Sequence, residues 1–281
     1  MTTENAGSGQ VVVVTGASSG IGREVALRYA RRHDHLVLAS RSEEMLREVA
    51  EECFDVGAAD VLIQSTDIAE CDDVEKLFDV AVTTFGRVDV TVQSAAITAF
   101  GRFEDVPADV FEAIVRTNLL GSANVARGAL KHYQQRGAGH LVLVGSLLGA
   151  VAVPYQSAYV ASKFALCGLV RALRQENRNL PGVRVHGVYP GPVDTPAYNA
   201  AENFLRQTPR VPPTADTAVT IAKAIVQVSD RRKSTERQIG WLNLPAIAAY
   251  RLLPRAFDAV IGRLVRSTAF TTESTEPAGA R

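Results

Sequence analysis

The chain has 281 residues, 47% hydrophobic and 21% charged, which is enough for one sizeable core and excludes disordered and collagen-like proteins. Its 30 basic and 30 acidic side chains balance, so the overall charge favours neither nucleic acid nor an acidic membrane as a partner. Three cysteines without metal-ligand spacing argue against a disulfide framework and for a reducing compartment, so we expect a cytoplasmic protein that binds no metal.

Short β-branched runs alternate with longer segments of helical period, the pattern of βαβ units that build a parallel sheet. We therefore expect the α/β class, a doubly wound, Rossmann-like parallel sheet with helices on both faces. The expected strands are residues 11–15, 36–40, 61–65, 88–93, 140–146 and 183–189. The expected helices are residues 21–32, 43–53, 72–85, 107–135 and 158–180.

The regular alternation fades after the sixth predicted strand. Six prolines between Pro190 and Pro213 exclude a continuous helix, so residues 190–213 are expected to form a loop-rich lid. The expected boundaries are a disordered tail at 1–9, one domain over 10–240, a C-terminal extension over 241–270 and a second disordered tail at 271–281.

A glycine-rich segment directly follows the first predicted strand and precedes a helical pattern. Its spacing, Gly16-x-x-x-Gly20-x-Gly22, permits a tight turn and lets backbone N–H groups approach a pyrophosphate at the positive end of the helix. An ordinary strand-to-helix turn is the alternative interpretation. The setting favours a dinucleotide site, whose expected residues in this turn are Gly16, Ser18, Ser19, Gly20, Ile21 and Gly22.

The end of the second predicted strand indicates which dinucleotide binds. NAD-binding proteins usually place an acidic residue there to hold the ribose, but this chain has Ser40 and Arg41. A guanidinium suits a 2′-phosphate because Arg makes charge-assisted, often bidentate contacts with phosphate oxygens. A solvated arginine at a helix start is the alternative. The pair predicts NADP(H) in preference to NAD.

A tyrosine, a lysine and a serine form the candidate catalytic group. Tyr159 and Lys163 are four residues apart and share one face of a predicted helix, which alone is weak evidence. Ser146 strengthens it, because it lies at the end of an apolar strand, where open α/β sheets bind ligands. We expect Tyr159 to give a proton to a carbonyl oxygen and Ser146 to hydrogen-bond that oxygen. Lys163, with an oxidised nicotinamide, would lower the pKa of Tyr159.

With these motifs in this order, the chain resembles the short-chain dehydrogenase/reductase family over about residues 10–200. The resemblance implies that Asn118 joins the catalytic set and holds a water that relays protons from Lys163. It also implies that Asp67 lies beside the adenine, that the loop from Pro190 to Thr195 walls the nicotinamide, and that the protein forms a homodimer or homotetramer. The further expected cofactor contacts are Ser40, Arg41, Asp67, Ile68, Ser94, Ala95, Ala96, Tyr159, Lys163, Pro190, Gly191, Val193 and Thr195.

One motif departs from the family pattern. After the fourth strand the family usually has Asn-Asn-Ala-Gly, and this chain has Gln93-Ser94-Ala95-Ala96. Ala96 would crowd the backbone close to the cofactor, and Gln93 must replace a shorter amide in bracing the sheet. We expect the change to be tolerated, with room for an altered cofactor affinity.

Together these residues predict an NADP(H)-dependent oxidoreductase that interconverts a carbonyl and a secondary alcohol. A hydrolase is disfavoured because residues 145–149, Gly-Ser-Leu-Leu-Gly, lack the Gly-x-Ser-x-Gly spacing of a nucleophile elbow. A non-catalytic dinucleotide-binding protein that senses redox state is the second hypothesis.

The C-terminal extension is expected to contain an amphipathic helix after Pro254, and segment 241–266 to replace the short strand and ending of many family members. Its charges are too frequent for a membrane span. The helix would pack on its own subunit, on a partner subunit or on a membrane surface. In the first case residues 241–253 would roof the cleft and favour apolar, steroid-like, retinoid-like or long-chain substrates. The apolar stripe consists of Phe257, Val260, Ile261, Leu264 and Val265.

Overall fold

The structure of the protein, a computed structural model, describes residues 9–274. The strands are β1 (Val11–Thr15), β2 (His35–Ser40), β3 (Asp60–Ser65), β4 (Val90–Gln93), β5 (Ala99–Phe100), β6 (Gly139–Val144), β7 (Val183–Pro190), β8 (Val193–Asp194), β9 (Glu202–Asn203), β10 (Gln207–Pro209), β11 (Asp216–Thr217), β12 (Glu236–Ile239) and β13 (Phe270–Ser274). The α-helices are α1 (Gly20–Ala30), α2 (Glu43–Asp55), α3 (Cys71–Phe85), α4 (Ala108–Val115), α5 (Ser122–Arg136), α6 (Ser157–Glu176), α7 (Ala197–Ala200), α8 (Ala218–Ser229), α9 (Asn243–Leu252) and α10 (Pro254–Ala269).

Seven strands form one parallel sheet in the order β12-β7-β6-β4-β1-β2-β3. The chain moves outward from β1 to β3 and then returns to place β4 on the other side of β1, so the strand order reverses between β1 and β4. The predicted doubly wound, Rossmann-like α/β class is confirmed. Ligands of such sheets bind where the order reverses, at the carboxyl ends of the strands.

The core has one apolar layer on each face of the sheet, and β1 contributes to both. Val12 and Val14 pack in the layer that contains α1, α2 and α8, whereas Val11 and Val13 pack in the layer that contains α3, α5 and α6. Successive side chains of a strand alternate between faces, so a strand covered on both sides is apolar throughout. Each such buried side chain stabilises the fold by about 1.5 to 3 kcal/mol.

Several predicted elements have different boundaries in the structure; for example, the predicted helix 158–180 ends at Glu176 and the predicted strand 88–93 begins at Val90. The predicted strand 140–146 ends at Val144, and Ser146 caps the short 3-10 helix Leu147–Gly149, accepting a hydrogen bond from the Leu148 N–H at 3.1 Å. The predicted helix 107–135 is interrupted between α4 and α5 by the π-helical segment Arg116–Gly121. The hydrophobic period does not reveal such a widened turn, because apolar residues continue on both sides.

A helix and a strand that the sequence did not predict follow residue 213. Helix α8 begins after Thr217, whose side chain accepts a hydrogen bond from the Thr220 N–H at 3.2 Å. Strand β12 joins β7 as the seventh strand of the sheet. The implied replacement of the short last strand by segment 241–266 is therefore wrong. Three of the four β12 residues are polar and only Ile239 is buried, so an edge strand of this kind carries little periodic signal.

The predicted lid, residues 190–213, contains the short helix α7 and pieces of strand rather than loop alone. Strand β10 in this segment pairs antiparallel with β13. Residues 271–274 of the predicted C-terminal tail thus belong to a strand, which contradicts the boundary expected at Thr271. The remainder of the two predicted tails, 1–8 and 275–281, lies outside the described residues.

The C-terminal extension forms two helices, and the predicted amphipathic helix is α10. It begins at Pro254, as the first helical turn tolerates proline. Its stripe is incompletely covered, since Val260 and Leu264 are 60% and 51% exposed and none of the α10 residues is fully buried. The Phe257 ring contacts the Tyr250 ring of α9 at 5.3 Å between centroids. Among the described helices, none is long and apolar enough to cross a membrane.

Candidate active site

The predicted site residues follow strands whose carboxyl ends meet at one edge of the sheet. Gly16 follows β1, Ser94 follows β4 and Ser146 follows β6. The register brings these ends level, since the last residue of β1, Thr15, pairs with Gln93, and Gln93 pairs with Leu143. The structure therefore brings the glycine turn, the loop after β4 and the serine into one cleft edge.

The glycine turn is held by close backbone packing. Gly16 and Gly20 have positive φ angles of 68° and 51°, which favour glycine. A Cβ on Gly22 would lie 2.1 Å from the Gly16 carbonyl oxygen. Ser19, at the start of α1, makes no side-chain capping bond, and the first turn of α1 has no acidic residue. The helix start thus offers its N–H groups to an external acceptor, which fits a pyrophosphate.

Replacing Gly22 by alanine is expected to weaken nucleotide binding at least about tenfold and to lower Tm, because the new Cβ displaces a backbone carbonyl that has no freedom to move. Gly168→Ala is the matched control. A Cβ on Gly168, in α6, meets nothing within 4 Å, and alanine is a better helix former there. Isothermal titration with NADPH and thermal melting measure both effects. Unchanged binding and Tm in Gly22→Ala would contradict the close packing.

The loop after β2 leaves a guanidinium available. The Ser40 hydroxyl donates to the Ser42 carbonyl at 3.2 Å, and the Arg41 carbonyl accepts from Ser65 at 3.3 Å. The Arg41 side chain is exposed and forms no ion pair with any carboxylate of the described residues. A charged donor is therefore free at the position where a 2′-phosphate is expected.

The other predicted adenine-side residues lie after β3. Asp67 accepts a hydrogen bond from the Ala69 N–H at 2.9 Å, which shapes the turn before α3. Ile68 is buried and lies close to Gly121, where a Cβ would meet the Ile68 side chain at 2.7 Å. This contact joins the turn after β3 to the end of the π-helical segment.

Gln93 braces the sheet through a network around its amide. Thr15 Oγ1 donates to Gln93 Oε1 at 2.5 Å, and the Ala95 N–H donates to the same oxygen at 2.9 Å. Gln93 Nε2 donates to Ser122 Oγ at 2.6 Å and to the Ala95 carbonyl at 3.1 Å. The longer amide thus ties together β1, the loop after β4 and α5.

The alanine that replaces the usual glycine introduces no backbone strain. Among the described residues other than glycine, only His33 and Tyr155 have a positive φ, so Ala96 has an ordinary backbone conformation. The neighbouring Ser94 hydroxyl donates to the Thr15 carbonyl at 2.7 Å, which holds this loop against the end of β1.

The candidate catalytic side chains come together at the start of α6. The Ser146 hydroxyl lies beside Tyr159 and favours its phenolate form. Lys163 Nζ lies 5.5 Å from the centroid of the Tyr159 ring and donates to the Val144 carbonyl at 3.1 Å. Lys163 is only 2% exposed, so its ammonium group is held between the end of β6 and the tyrosine.

The pKa values in this group are governed by burial. Burial raises the pKa of Tyr159, and the nearby Ser146 side chain opposes the increase. Burial lowers the pKa of Lys163 to about 8, with a smaller opposing effect from Cys167. Protein groups alone therefore do not produce the lowered tyrosine pKa expected from Lys163, because the same burial that brings the lysine close also weakens its charge.

Asn118 lies in the π-helical segment and is fully buried. Its Oδ1 accepts from the Ile97 N–H at 2.8 Å, and its Nδ2 donates to the Ile97 carbonyl at 2.9 Å and to Ser162 Oγ at 3.1 Å. The asparagine thus links the loop after β4 to α6, one residue from Lys163. These contacts position the site, and the predicted water relay stays a prediction.

The loop after β7 faces the glycine turn. A Cβ on Gly20 would lie 3.2 Å from Thr195 Cγ2, so the two loops are in contact range. The Gly191 N–H donates to the Ile239 carbonyl at 2.8 Å. Asn243 Nδ2 donates to the Tyr189 and Ile239 carbonyls at 3.1 and 2.8 Å, so the start of α9 anchors this loop. No sequence pattern indicated a role for Asn243.

An aromatic cluster that no sequence pattern predicted adjoins Tyr159. The Phe270 ring contacts Phe100 and Tyr155 edge-on at 5.7 and 5.9 Å between centroids, and Phe100 stacks on Tyr198 at 6.1 Å. Burial and the nearby Tyr159 raise the pKa of Tyr198 to about 12. No periodic pattern could find this cluster, because its members come from four distant segments.

The C-terminal extension reaches the cluster through β13 rather than through residues 241–253. Phe270 is 2% exposed, whereas Trp241 and Leu252 are 76% and 77% exposed. The large apolar side chains of residues 241–253 remain exposed, and the roof built from these residues stays a prediction.

Comparisons with known proteins agree with this geometry. The family model described as short chain dehydrogenase matches residues 10–205. The uncharacterized oxidoreductase YxnA of Bacillus subtilis (strain 168) is 34% identical over 264 residues, 91% of this chain and 72% of that protein. The 11-beta-hydroxysteroid dehydrogenase-like 4A of Arabidopsis thaliana is 33% identical over 239 residues, 84% of this chain and 79% of that protein.

A solved structure is similar over most of the fold. The alcohol dehydrogenase from the archaeon Thermococcus sibiricus, complexed with 5-hydroxy-NADP, has a TM-score of 0.73 and 29% identity, covering 83% of this chain and 97% of that one. The chain therefore belongs to the short-chain dehydrogenase/reductase family and is an oxidoreductase that acts on CH–OH groups.

Proposed function

We propose that the protein is an NADP(H)-dependent enzyme that interconverts an apolar carbonyl compound and its secondary alcohol. The observation that carries the proposal is the contact of three side chains at the carboxyl edge of the sheet. Ser146 lies beside Tyr159, and Lys163 Nζ lies 5.5 Å from the centroid of the Tyr159 ring. These are a proton donor, a group that binds the developing oxyanion and a cation.

The residues beside this group suit a dinucleotide. The uncapped start of α1 would take the pyrophosphate, Arg41 the 2′-phosphate, and the Pro190 to Thr195 loop the nicotinamide side. When bound, NADPH supplies the hydride that the carbonyl carbon accepts.

Side chains of the protein then transfer the proton. Ser146 holds the substrate oxygen within reach of the Tyr159 hydroxyl, which gives its proton to that oxygen as the C–O bond becomes that of an alcohol. Lys163 stabilises the resulting phenolate by its charge. Asn118 positions α6 through Ser162. In the oxidation direction the same groups act in reverse, with Tyr159 as the base.

Arg41 is expected to set the cofactor preference. Arg41→Ala should weaken NADPH binding about 10- to 100-fold, because one charge-assisted contact to a phosphate contributes about 1.5 to 3 kcal/mol. NADH affinity should change little, since NADH lacks this phosphate. Arg47→Ala, in α2, is the matched control, as Arg47 is exposed and pairs with Glu43. Equal NADPH affinity in Arg41→Ala and the parent, or tighter NADH binding by the parent, would contradict the assignment.

An apolar substrate fits the aromatic cluster beside Tyr159. Phe100 and Phe270 are 3% and 2% exposed and would support the half-buried rings of Tyr155 and Tyr198, which would offer the substrate an apolar ring surface. One relative carries the name of a hydroxysteroid dehydrogenase-like protein, which is in keeping with a bulky apolar substrate.

A panel of carbonyls and alcohols, followed by nicotinamide absorbance, tests the proposed function. We expect the highest kcat/KM for steroid-like, retinoid-like or long-chain carbonyls and the lowest for sugars, because a sugar would leave its hydroxyl groups unpaired against the aromatic rings. Higher activity with sugars would contradict the substrate class. Tight NADPH binding without turnover of any carbonyl would favour the redox-sensing hypothesis instead.

The assembly and location belong to the same proposal. We expect the protein to form a homodimer or homotetramer. We also expect it to be in the reducing environment of the cytoplasm, since Cys53, Cys71 and Cys167 are all unpaired. The exposed apolar face of α9 and α10 would lie against a second subunit or a membrane surface. Sedimentation of the protein with and without liposomes distinguishes these two arrangements.

A further inference from the structure

A cavity of about 560 Å³ lies at the end of the sheet opposite the candidate active site. It is formed by the last turns of α6, the start of β7 and the segment before β12. Strand β7 is 8 residues long, so at about 3.3 Å per residue the cavity is roughly 25 Å from the carboxyl edge of the sheet. It is separate from the dinucleotide cleft.

Six cationic side chains line this cavity, and no acidic residue is among its described lining residues. The helix period explains three of them, because residues 171, 174 and 178 fall on one face of α6 and its continuation. Arg184 lies at the start of β7, and Arg232 and Lys233 lie in the segment before β12. The six are Arg171, Arg174, Arg178, Arg184, Arg232 and Lys233.

The positive charge is only partly neutralised within the described residues. Glu236 pairs with Arg174 and, at 3.5 Å, with Arg171. Arg184 donates only to carbonyl oxygens, including that of Arg232 at 2.5 Å. The remaining three cationic side chains are exposed and form no ion pair with a described carboxylate.

Two buried groups show the same excess of hydrogen-bond donors and positive charge. Arg174 Nε is buried and has no hydrogen-bond acceptor. Burial, with the neighbouring His140, Arg174 and Arg184, lowers the pKa of His186 to about 3. The chain has 30 basic and 30 acidic residues, so its overall composition does not explain why six cations lie beside one carboxylate.

We infer that this cavity is a binding site for a compact ligand that carries two or more phosphate groups. Guanidinium groups match phosphate oxygens in charge and in bidentate geometry. The volume lies within the range of small-molecule sites, about 300 to 1,000 Å³. The cations surround one cavity rather than forming an extended stripe, which disfavours a nucleic acid backbone. The phosphates would belong to a free small molecule or to a phosphoinositide headgroup.

Titration calorimetry with inorganic tripolyphosphate tests the site, using full-length protein saturated with NADP⁺ so that the dinucleotide cleft is filled. The site variant combines Arg178→Gln, Arg232→Gln and Lys233→Gln, which are exposed positions. The control variant combines Lys76→Gln, Lys131→Gln and Lys223→Gln, exposed positions outside both this cavity and helices α9 and α10, which removes the same charge elsewhere. We expect saturable binding whose Kd rises at least about tenfold in the site variant and less than about twofold in the control.

Vesicles distinguish the two sources of phosphate. Retention on phosphatidylcholine vesicles that contain phosphatidylinositol 4,5-bisphosphate, lost in the site variant only, would identify a lipid headgroup. Binding of tripolyphosphate without retention would identify a free ligand. Absence of tripolyphosphate binding to the parent protein, or equal weakening in both variants, would overturn the site. Tighter binding of a 20-nucleotide single-stranded DNA than of tripolyphosphate would overturn the compact ligand. None of these outcomes depends on the oxidoreductase activity.

Discussion

Tyr159→Phe is expected to lower kcat about a thousandfold while NADPH affinity and Tm stay near those of the parent protein. The substitution removes only the hydroxyl that gives its proton to the substrate oxygen, and general acid catalysis contributes about 10²- to 10⁴-fold. The ring keeps its packing against the buried cluster of Ala99, Ile114 and Ala158. Steady-state kinetics with the best carbonyl of the panel, together with NADPH titration, measure the effect.

Tyr155→Phe is the matched control, because Tyr155 lies four residues earlier and packs against Phe270 in the same aromatic cluster. It should keep kcat within about threefold of the parent, since no proton transfer is assigned to its hydroxyl. Near-parental turnover in Tyr159→Phe would remove Tyr159 from the chemistry. A Tyr159→Phe protein that fails to fold would give the residue a structural role instead.

Lys163→Met is expected to lower kcat by about 10²- to 10³-fold, because the cation that stabilises the phenolate is lost while the side-chain volume is nearly kept. NADPH binding should weaken as well, since the family resemblance implies that this lysine also holds the nicotinamide ribose. Kinetics and NADPH titration measure both. Parental kcat in Lys163→Met would contradict the assigned role.

The same variant has a signature in stability that does not depend on activity. Burial lowers the pKa of Lys163 to about 8, against an ordinary value of 10.5. Below about pH 8 the lysine is charged in both folded and unfolded chains, and the burial penalty is fully present. Between these values the unfolded chain binds the extra proton, so stability rises with pH. The free energy of unfolding of the parent, minus that of Lys163→Met, should therefore increase from pH 8 to 10.5. A flat or falling difference would contradict the buried, charged lysine.

Local sequence patterns were sufficient to predict an element when the residues that determine it lie on one face of a helix or strand, or in one turn. The run Val11–Val14 is apolar throughout because β1 is covered on both faces, and it predicts a central parallel strand. The spacing of Tyr159 and Lys163 predicts a shared helix face, which α6 provides. These predictions depend only on neighbours within a few residues in the sequence.

Other features arose from contacts between distant segments. The π-helical segment around Asn118 forms where its side chain pairs with Ile97, 21 residues earlier. Strand β12 is polar at three of four positions and is stabilised by pairing with β7. The Phe270 ring contacts Phe100 where β13 pairs with β10, and Phe100 in turn stacks on Tyr198. The periodicity of apolar residues along the sequence does not predict such pairings.

The amino-acid sequence by itself determined the α/β class, the positions along the chain of the first six sheet strands, and the residue types of the glycine turn and of the Ser146, Tyr159 and Lys163 group. Each of these depends on backbone geometry, side-chain periodicity or motif order, which are local along the chain. Only the tertiary structure decided how strongly burial shifts the pKa values of Tyr159 and Lys163. It alone also brought Phe270 to the cleft and gathered six cations at the opposite end of the sheet, because burial and charge density depend on segments that folding brings together.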